Sequence, residues 1–225
     1  MIEEILPADV VAAEAREDPP DATLFSEEEA PLARAGRKRR SEFTTARMCA
    51  RRALAELGLP PMPLPPGPKG EPQWPPGLVG SITHCAGYRA AAVARTPAVR
   101  TIGIDAETHG ALPGAVVTTI SLPEERAWVR DLSRTDPGVW WDRLLFSAKE
   151  SVYKAWFPLT RRWLGFEQAA ITVDPDGTFS ARLLVAGLRV GDRELGGFTG
   201  RWLIRDGLVL TAIALAAPTN NRDWR

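Results

Sequence analysis

Cysteine is nearly missing from this sequence: Cys49 and Cys85 are the only two in 225 residues. They form no CxxC and join no Cys/His cluster. That excludes a disulfide framework and a zinc site, and it favours a reducing compartment. Long apolar runs are missing too. The longest, residues 208–217, is interrupted by Thr211 and is half a membrane span. The N-terminus, MIEEILPADVV, lacks the basic region and longer apolar core of a secretory signal. A cytoplasmic protein with no membrane partner is expected. Net charge is absent as well, since 28 Lys and Arg balance 28 Asp and Glu. Nothing global points to a polyanion, so no nucleic-acid partner is expected.

What is present is an ordinary globular composition, 44% hydrophobic and 25% charged, enough for one large domain or two small ones. The charge is unevenly placed. Residues 1–31 hold ten acidic side chains and one basic, Arg16, whereas residues 34–52 hold eight basic and one acidic, Glu42. This reversal suits a confined anion site. The alternative is a non-catalytic nucleotide- or nucleic-acid-binding module built on the 34–52 cluster.

Periodicity predicts a helix over 26–57, opened by a Ser26/Glu29 capping box and closed by Gly58. Residues 58–80 carry nine prolines, which predicts an ordered loop folded back on the body around Lys69 and Trp74. Strands follow at 79–82, 89–95 and 101–107, and a boundary falls at 109–113. Helices are expected at 122–131 and after Gly138, then strands at 169–173, 178–184, 198–204 and 208–216. The expected class is α+β, with an N-terminal unit over 1–110 and a C-terminal unit over 111–225.

The helix running through residues 144–166 organises the rest. Trp141, Leu144, Leu145, Ala148, Val152, Ala155 and Trp156 share one apolar arc, while Glu150 and Lys154 stack on the opposite side. Lys149 falls at the edge of the arc. Taken alone, this is an ordinary surface pair beside a snorkelling lysine. The strand at 101–107 adds meaning, because Asp105 and Glu107 share one of its faces. If strand and helix meet, Asp105, Glu107 and Glu150 supply three hard oxygen ligands that suit Mg²⁺, with Mn²⁺ an acceptable substitute. Arg39, Arg47, Lys69, His84, Lys149 and Lys154 are then the counter-ions for phosphates on that metal. Ser81 and Thr83 add hydroxyl donors next to His84.

These motifs together resemble the 4′-phosphopantetheinyl transferases of the surfactin-synthetase-activating type, and most closely the enterobactin synthetase component D-like subgroup. The carriers are RMCAR at 47–51, GPKGEP at 67–72, GSITHC at 80–85, GIDAE at 103–107 and FSAKESVYK at 146–154. The resemblance implies two similar α/β subdomains related by a pseudo-twofold axis, with coenzyme A as substrate in the cleft between them. It implies transfer of the phosphopantetheine arm to a serine of an acyl or peptidyl carrier protein, releasing adenosine 3′,5′-bisphosphate. Carried over by motif, Asp105, Glu107 and Glu150 hold Mg²⁺, and Lys154 stabilises the developing charge. Arg39, Arg47, Lys69 and His84 bind phosphates, with Thr83 and His84 near the 3′-phosphate. Either Glu150 or Glu107 is the base. Leu112, Pro113, Val116, Val117 and Ile120 are implied carrier contacts, and siderophore, polyketide and nonribosomal-peptide pathways are the implied settings. With both halves in one chain, a monomer is expected.

Overall fold

The computed structural model describes residues 1–185, 189–190 and 193–217. After a 3-10 turn at Ile2–Ile5 come β1 (Val11–Ala15), α1 (Ser26–Glu29) and α2 (Arg37–Glu56). The helix expected over 26–57 is therefore in two pieces, joined through a 3-10 turn at Ala30–Leu32. Pro31 sits inside that turn, where it has no N–H to continue an α-helical ladder. The capping interaction lies one residue earlier than expected. Glu28 accepts the Phe25 N–H at 2.9 Å, while Glu29 turns outward to Arg40 at 2.9 Å. The far end of α2 is as read. Gly58 takes a left-handed φ of 75°, and the N–H groups of Gly58 and Leu59 donate to the carbonyls of Ala55 and Leu54. This is the paired closure that a C-terminal glycine permits.

Strands β2 (Leu78–Cys85), β3 (Tyr88–Arg95) and β4 (Val99–Thr108) follow the proline-rich loop. Helices α3 (Gly114–Ile120), α4 (Pro123–Thr135) and α5 (Trp141–Thr160) come next. The chain then runs through β5 (Ala169–Asp174), β6 (Thr178–Leu183), β7 (Arg189–Val190), β8 (Arg193–Glu194), β9 (Gly197–Arg205) and β10 (Leu208–Ala216). The strands form a three-stranded sheet ordered β1-β3-β2, a five-stranded sheet ordered β4-β10-β9-β6-β5 and the small β7-β8 pair. Among the described residues no helix is long and apolar enough to cross a membrane.

The two main sheets repeat one plan, an antiparallel sheet with a 20-residue helix laid across it. Under α2, Ala50, Ala53 and Leu54 pack on Ala91 and Val93. Under α5, Leu144, Leu145, Ala148 and Val152 pack on Ile171, Phe179, Val209 and Ile213. This is the mixed, two-part α+β architecture expected. Strand β4 hydrogen-bonds to β10, so the larger sheet draws its edge strand from the first half of the chain. That edge meets β2 through side chains. Ser81 Oγ accepts the Ile104 N–H and Thr83 Oγ1 accepts the Ala106 N–H, each at 3.0 Å. Two backbone donors on the β4 edge that would otherwise stay open are satisfied by hydroxyls from β2.

Close packing fixes how α5 lies on β4. Gly103 sits beneath the helix, and a Cβ there would fall 2.0 Å from the Ser151 carbonyl oxygen. Thr101 donates to the Ala155 carbonyl at 2.8 Å. The hydroxyls of Ser147 and Ser151 share Thr211 Oγ1 at 2.9 and 2.7 Å. These contacts set the height of Glu150 and Lys154 over the strand that carries Asp105.

Candidate active site

A cleft of about 400 Å³ opens between β2 with its preceding loop and the solvent side of α5, lined by Lys69, Trp74, Ser81, Glu150, Tyr153 and Lys154. The loop reaches it because its backbone is held at Leu64, which is fully buried. The Leu64 N–H donates to Glu28 at 2.8 Å and its carbonyl accepts from Arg47 Nε at 2.7 Å. A bridge between Pro66 and Pro72 folds the loop tip back, as expected. Across the mouth, Glu71 pairs with Arg161 at 3.1 Å.

Asp105 is the centre of the acidic set. It is 4% exposed, and its Oδ1 accepts from Lys154 at 2.7 Å and from Thr83 at 3.3 Å. Its Oδ2 is buried with no hydrogen-bond partner. Glu107 accepts from Arg143 at 2.9 Å. Burial first, then the neighbouring Asp105 charge, push the Glu107 carboxyl up to about 7 against the pull of Arg143. Glu150 is also raised by burial and by Asp105, with Lys154 opposing. Lys154 additionally donates to the Ile104 carbonyl at 3.1 Å.

Among the described residues, no three His, Cys, Asp or Glu side chains are gathered as a metal site. Instead, Lys154 pairs with Asp105 and Arg143 with Glu107. The chemistry of the donors nevertheless fits a hard divalent cation. Asp105 keeps an unpartnered buried oxygen, and the like-charge strain on Glu107 and Glu150 is what such an ion relieves.

The expected phosphate-binding residues divide. Lys69 lines the cleft with Glu150 and Lys154. His84 Nε2 lies 2.6 Å from Arg39 Nη1; since arginine only donates, that nitrogen is the acceptor. Burial first, then Arg39, lower the His84 pKa. Arg47 is not open to the cleft: it is 3% exposed, holds Leu64 and lies 4.1 Å from the Phe43 ring centroid. Burial brings its pKa down to about 10, and its Nη2 has no partner. The Thr83 hydroxyl is engaged between Asp105 and the Ala106 N–H.

Lys149 is the clear correction among the candidates. It is buried and donates to Glu125 at 2.8 Å and to the carbonyls of Phe166 and Ala169 at 2.6 and 2.9 Å. It ties α5 to α4 and β5 and has no donor left for a phosphate. Elsewhere in the 34–52 cluster, Arg40 pairs with Glu29 and Arg51 with the fully buried Glu28. Of the implied carrier contacts, Ile120 is buried, Leu112, Val116 and Val117 are half-buried, and Pro113 is exposed. Sequence reasoning missed Arg143. The signal was its place seven residues before Glu150, on the same face of the helix.

Two family profiles match the chain, "4′-phosphopantetheinyl transferase N-terminal domain" over residues 27–94 and "4′-phosphopantetheinyl transferase superfamily" over residues 101–200. The chain is 56% identical to 4′-phosphopantetheinyl transferase Svp of Streptomyces mobaraensis, covering 99% of this chain and 92% of that protein. It is 52% identical to 4′-phosphopantetheinyl transferase PptT of Mycobacterium tuberculosis, covering 96% and 98%. Enterobactin synthase component D of Salmonella typhimurium is 35% identical over 81% of this chain and 75% of its own length.

Proposed function

Because the chain belongs to the 4′-phosphopantetheinyl transferase superfamily, we propose that it moves phosphopantetheine from coenzyme A to a serine hydroxyl of acyl or peptidyl carrier proteins. The observation that carries this reading is the juxtaposition of Asp105, with its open buried oxygen, and Lys154 at one wall of a cleft reached by Lys69. Phosphoryl transfer needs placement and charge neutralisation more than a protein nucleophile.

The serine oxygen bonds to the phosphorus that carries the pantetheine arm, and the bond from that phosphorus to the bridging oxygen breaks. Adenosine 3′,5′-bisphosphate leaves with the bond's electron pair. The serine proton goes to Glu150 or Glu107; burial raises the proton affinity of both carboxyls, and Glu107, at about 7, is a competent acceptor near neutral pH. Lys154 faces the charge that grows on the departing phosphate. Asp105, Glu107 and Glu150 would hold Mg²⁺, or Mn²⁺ in its place, and such an ion neutralises the pyrophosphate. Lys69, Arg39 and His84 bind the nucleotide phosphates. Arg47 contributes by holding the loop that presents Lys69. Thr83 contributes by orienting Asp105. The protein acts as a cytoplasmic monomer on carriers of siderophore, polyketide or nonribosomal-peptide assembly. The half-buried valines of α3 form part of the carrier rim.

The test is mass spectrometry of an apo carrier incubated with coenzyme A, Mg²⁺ and the protein. One phosphopantetheine is gained on one serine, and a chelator abolishes the gain. No gain with acyl and peptidyl carriers alike overturns the reading.

A further inference from the structure

We propose that Arg143 is a positioning residue that couples the Glu107 carboxylate to the segment leading into α3, linking the acceptor rim to the acidic centre; this rests on the transferase reading above. Arg143 stands in the first turn of α5 and uses every guanidinium nitrogen. Its Nη1 donates to Glu107 Oε2 at 2.9 Å, its Nε to the Gly110 carbonyl at 3.0 Å and its Nη2 to the Ala111 carbonyl at 3.1 Å. Its side chain is only 16% exposed, so the contact is not a solvated ion pair.

The residues around it do the same work. Asp142 Oδ2 accepts the Leu112 N–H at 2.9 Å, and the Trp140 N–H donates to His109 Nε2 at 3.1 Å. Four consecutive residues, His109 to Leu112, are thus each tied to the start of α5. The segment they form runs from the end of β4, where Glu107 sits, to the start of α3. A displacement of α3 is therefore passed to Glu107 through one rigid fork. Lysine in place of arginine retains a charge for the carboxylate but has no planar fork for the two carbonyls. That difference separates coupling from simple neutralisation.

The experiment measures transfer to an apo carrier, and amide hydrogen exchange over residues 108–113, for the native chain, R143M and R143K. For R143M, kcat falls roughly 100-fold, the scale of a misplaced reacting group. The KM for carrier rises, the KM for coenzyme A is unchanged, and exchange over 108–113 accelerates. For R143K, most of kcat returns while the carrier KM and the exchange stay altered. Native kcat and carrier KM in both variants overturn the proposal, as does a rise in the coenzyme A KM alone. Native exchange and carrier KM in R143K also overturn it, because charge alone then suffices. If R143M does not fold, R143K carries the test. If the native chain transfers nothing, the transferase reading fails, and exchange over 108–113 still decides whether Arg143 holds the segment.

Discussion

Lys149 and Lys154 are neighbours on one helix with opposite fates, and the reason lies in what each side chain meets. Lys154 reaches Asp105 at the cleft wall, whereas Lys149 enters the core beside Glu125. Replacing Lys149 by Met leaves the Glu125 charge buried without its counter-ion, held only by the Leu122 and Ile171 N–H groups, and the expected loss is about 3–5 kcal/mol. Urea denaturation measures it, and the folded fraction retains its native KM for coenzyme A. An unchanged stability with a raised KM would return Lys149 to the phosphate site. Glu107 gives a second residue-scale prediction. Its carboxyl rises from 4.5 to about 7 in the fold, so as pH increases the unfolded chain releases this proton first. The stabilising effect of the protonated form is complete below pH 4.5 and is lost as pH climbs through about 7. With chelator present, Glu107→Gln therefore gains stability over the native chain between pH 5 and pH 8, by at most roughly 3 kcal/mol. A pH-independent difference contradicts the assignment. Alternation and helical spacing placed Asp105 and Glu107 on one strand face and Glu150 with Lys154 on one helix face, but did not reveal the direct pairing of Asp105 with Lys154. The partners of Lys149 and Glu107 were not legible either, since Glu125 and Arg143 meet them only through tertiary packing.

At the scale of elements, the approach of α5 to β4 decides where the site lies. Gly103 is required there for lack of a side chain, because a Cβ would strike the Ser151 carbonyl, a backbone atom that cannot rotate away. Gly103→Ala should cost about 1–3 kcal/mol as overpacking and lower transfer by shifting Lys154 from Asp105. Gly110→Ala, where nothing lies within 4 Å of the new atom, is the control, with an effect of about 0.5 kcal/mol or less. Thermal unfolding compares the two; equal effects would mean that the helix is free to settle elsewhere. Periodicity revealed both long helices and most strands. It did not reveal the break at Ala30–Leu32, because the acidic run before it suits a first helical turn as well as it suits α1. The proline loop was read correctly as ordered, yet the buried Glu28 that anchors Leu64 gave no sign in a stretch of three consecutive glutamates.

For the whole molecule, the cleft exists because two sheet edges meet at β2 and β4 and each sheet carries its own long helix. The α+β plan followed from the order of elements, and the likeness of its two parts was what the family resemblance implied. The exchange of β4 into the larger sheet followed from neither, since strand pairing between residues so far apart leaves no local mark. The acidic set is divided the same way, Asp105 and Glu107 on β4 and Glu150 on α5, so the proposed cation would bind well only when both parts are in place. Electron paramagnetic resonance of Mn²⁺, titrated into the protein with coenzyme A present, tests this most directly. One ion per native chain is predicted, with binding at least roughly tenfold weaker in Asp105→Ala and in Glu150→Gln. Native-strength binding of Mn²⁺ in both variants would contradict the account.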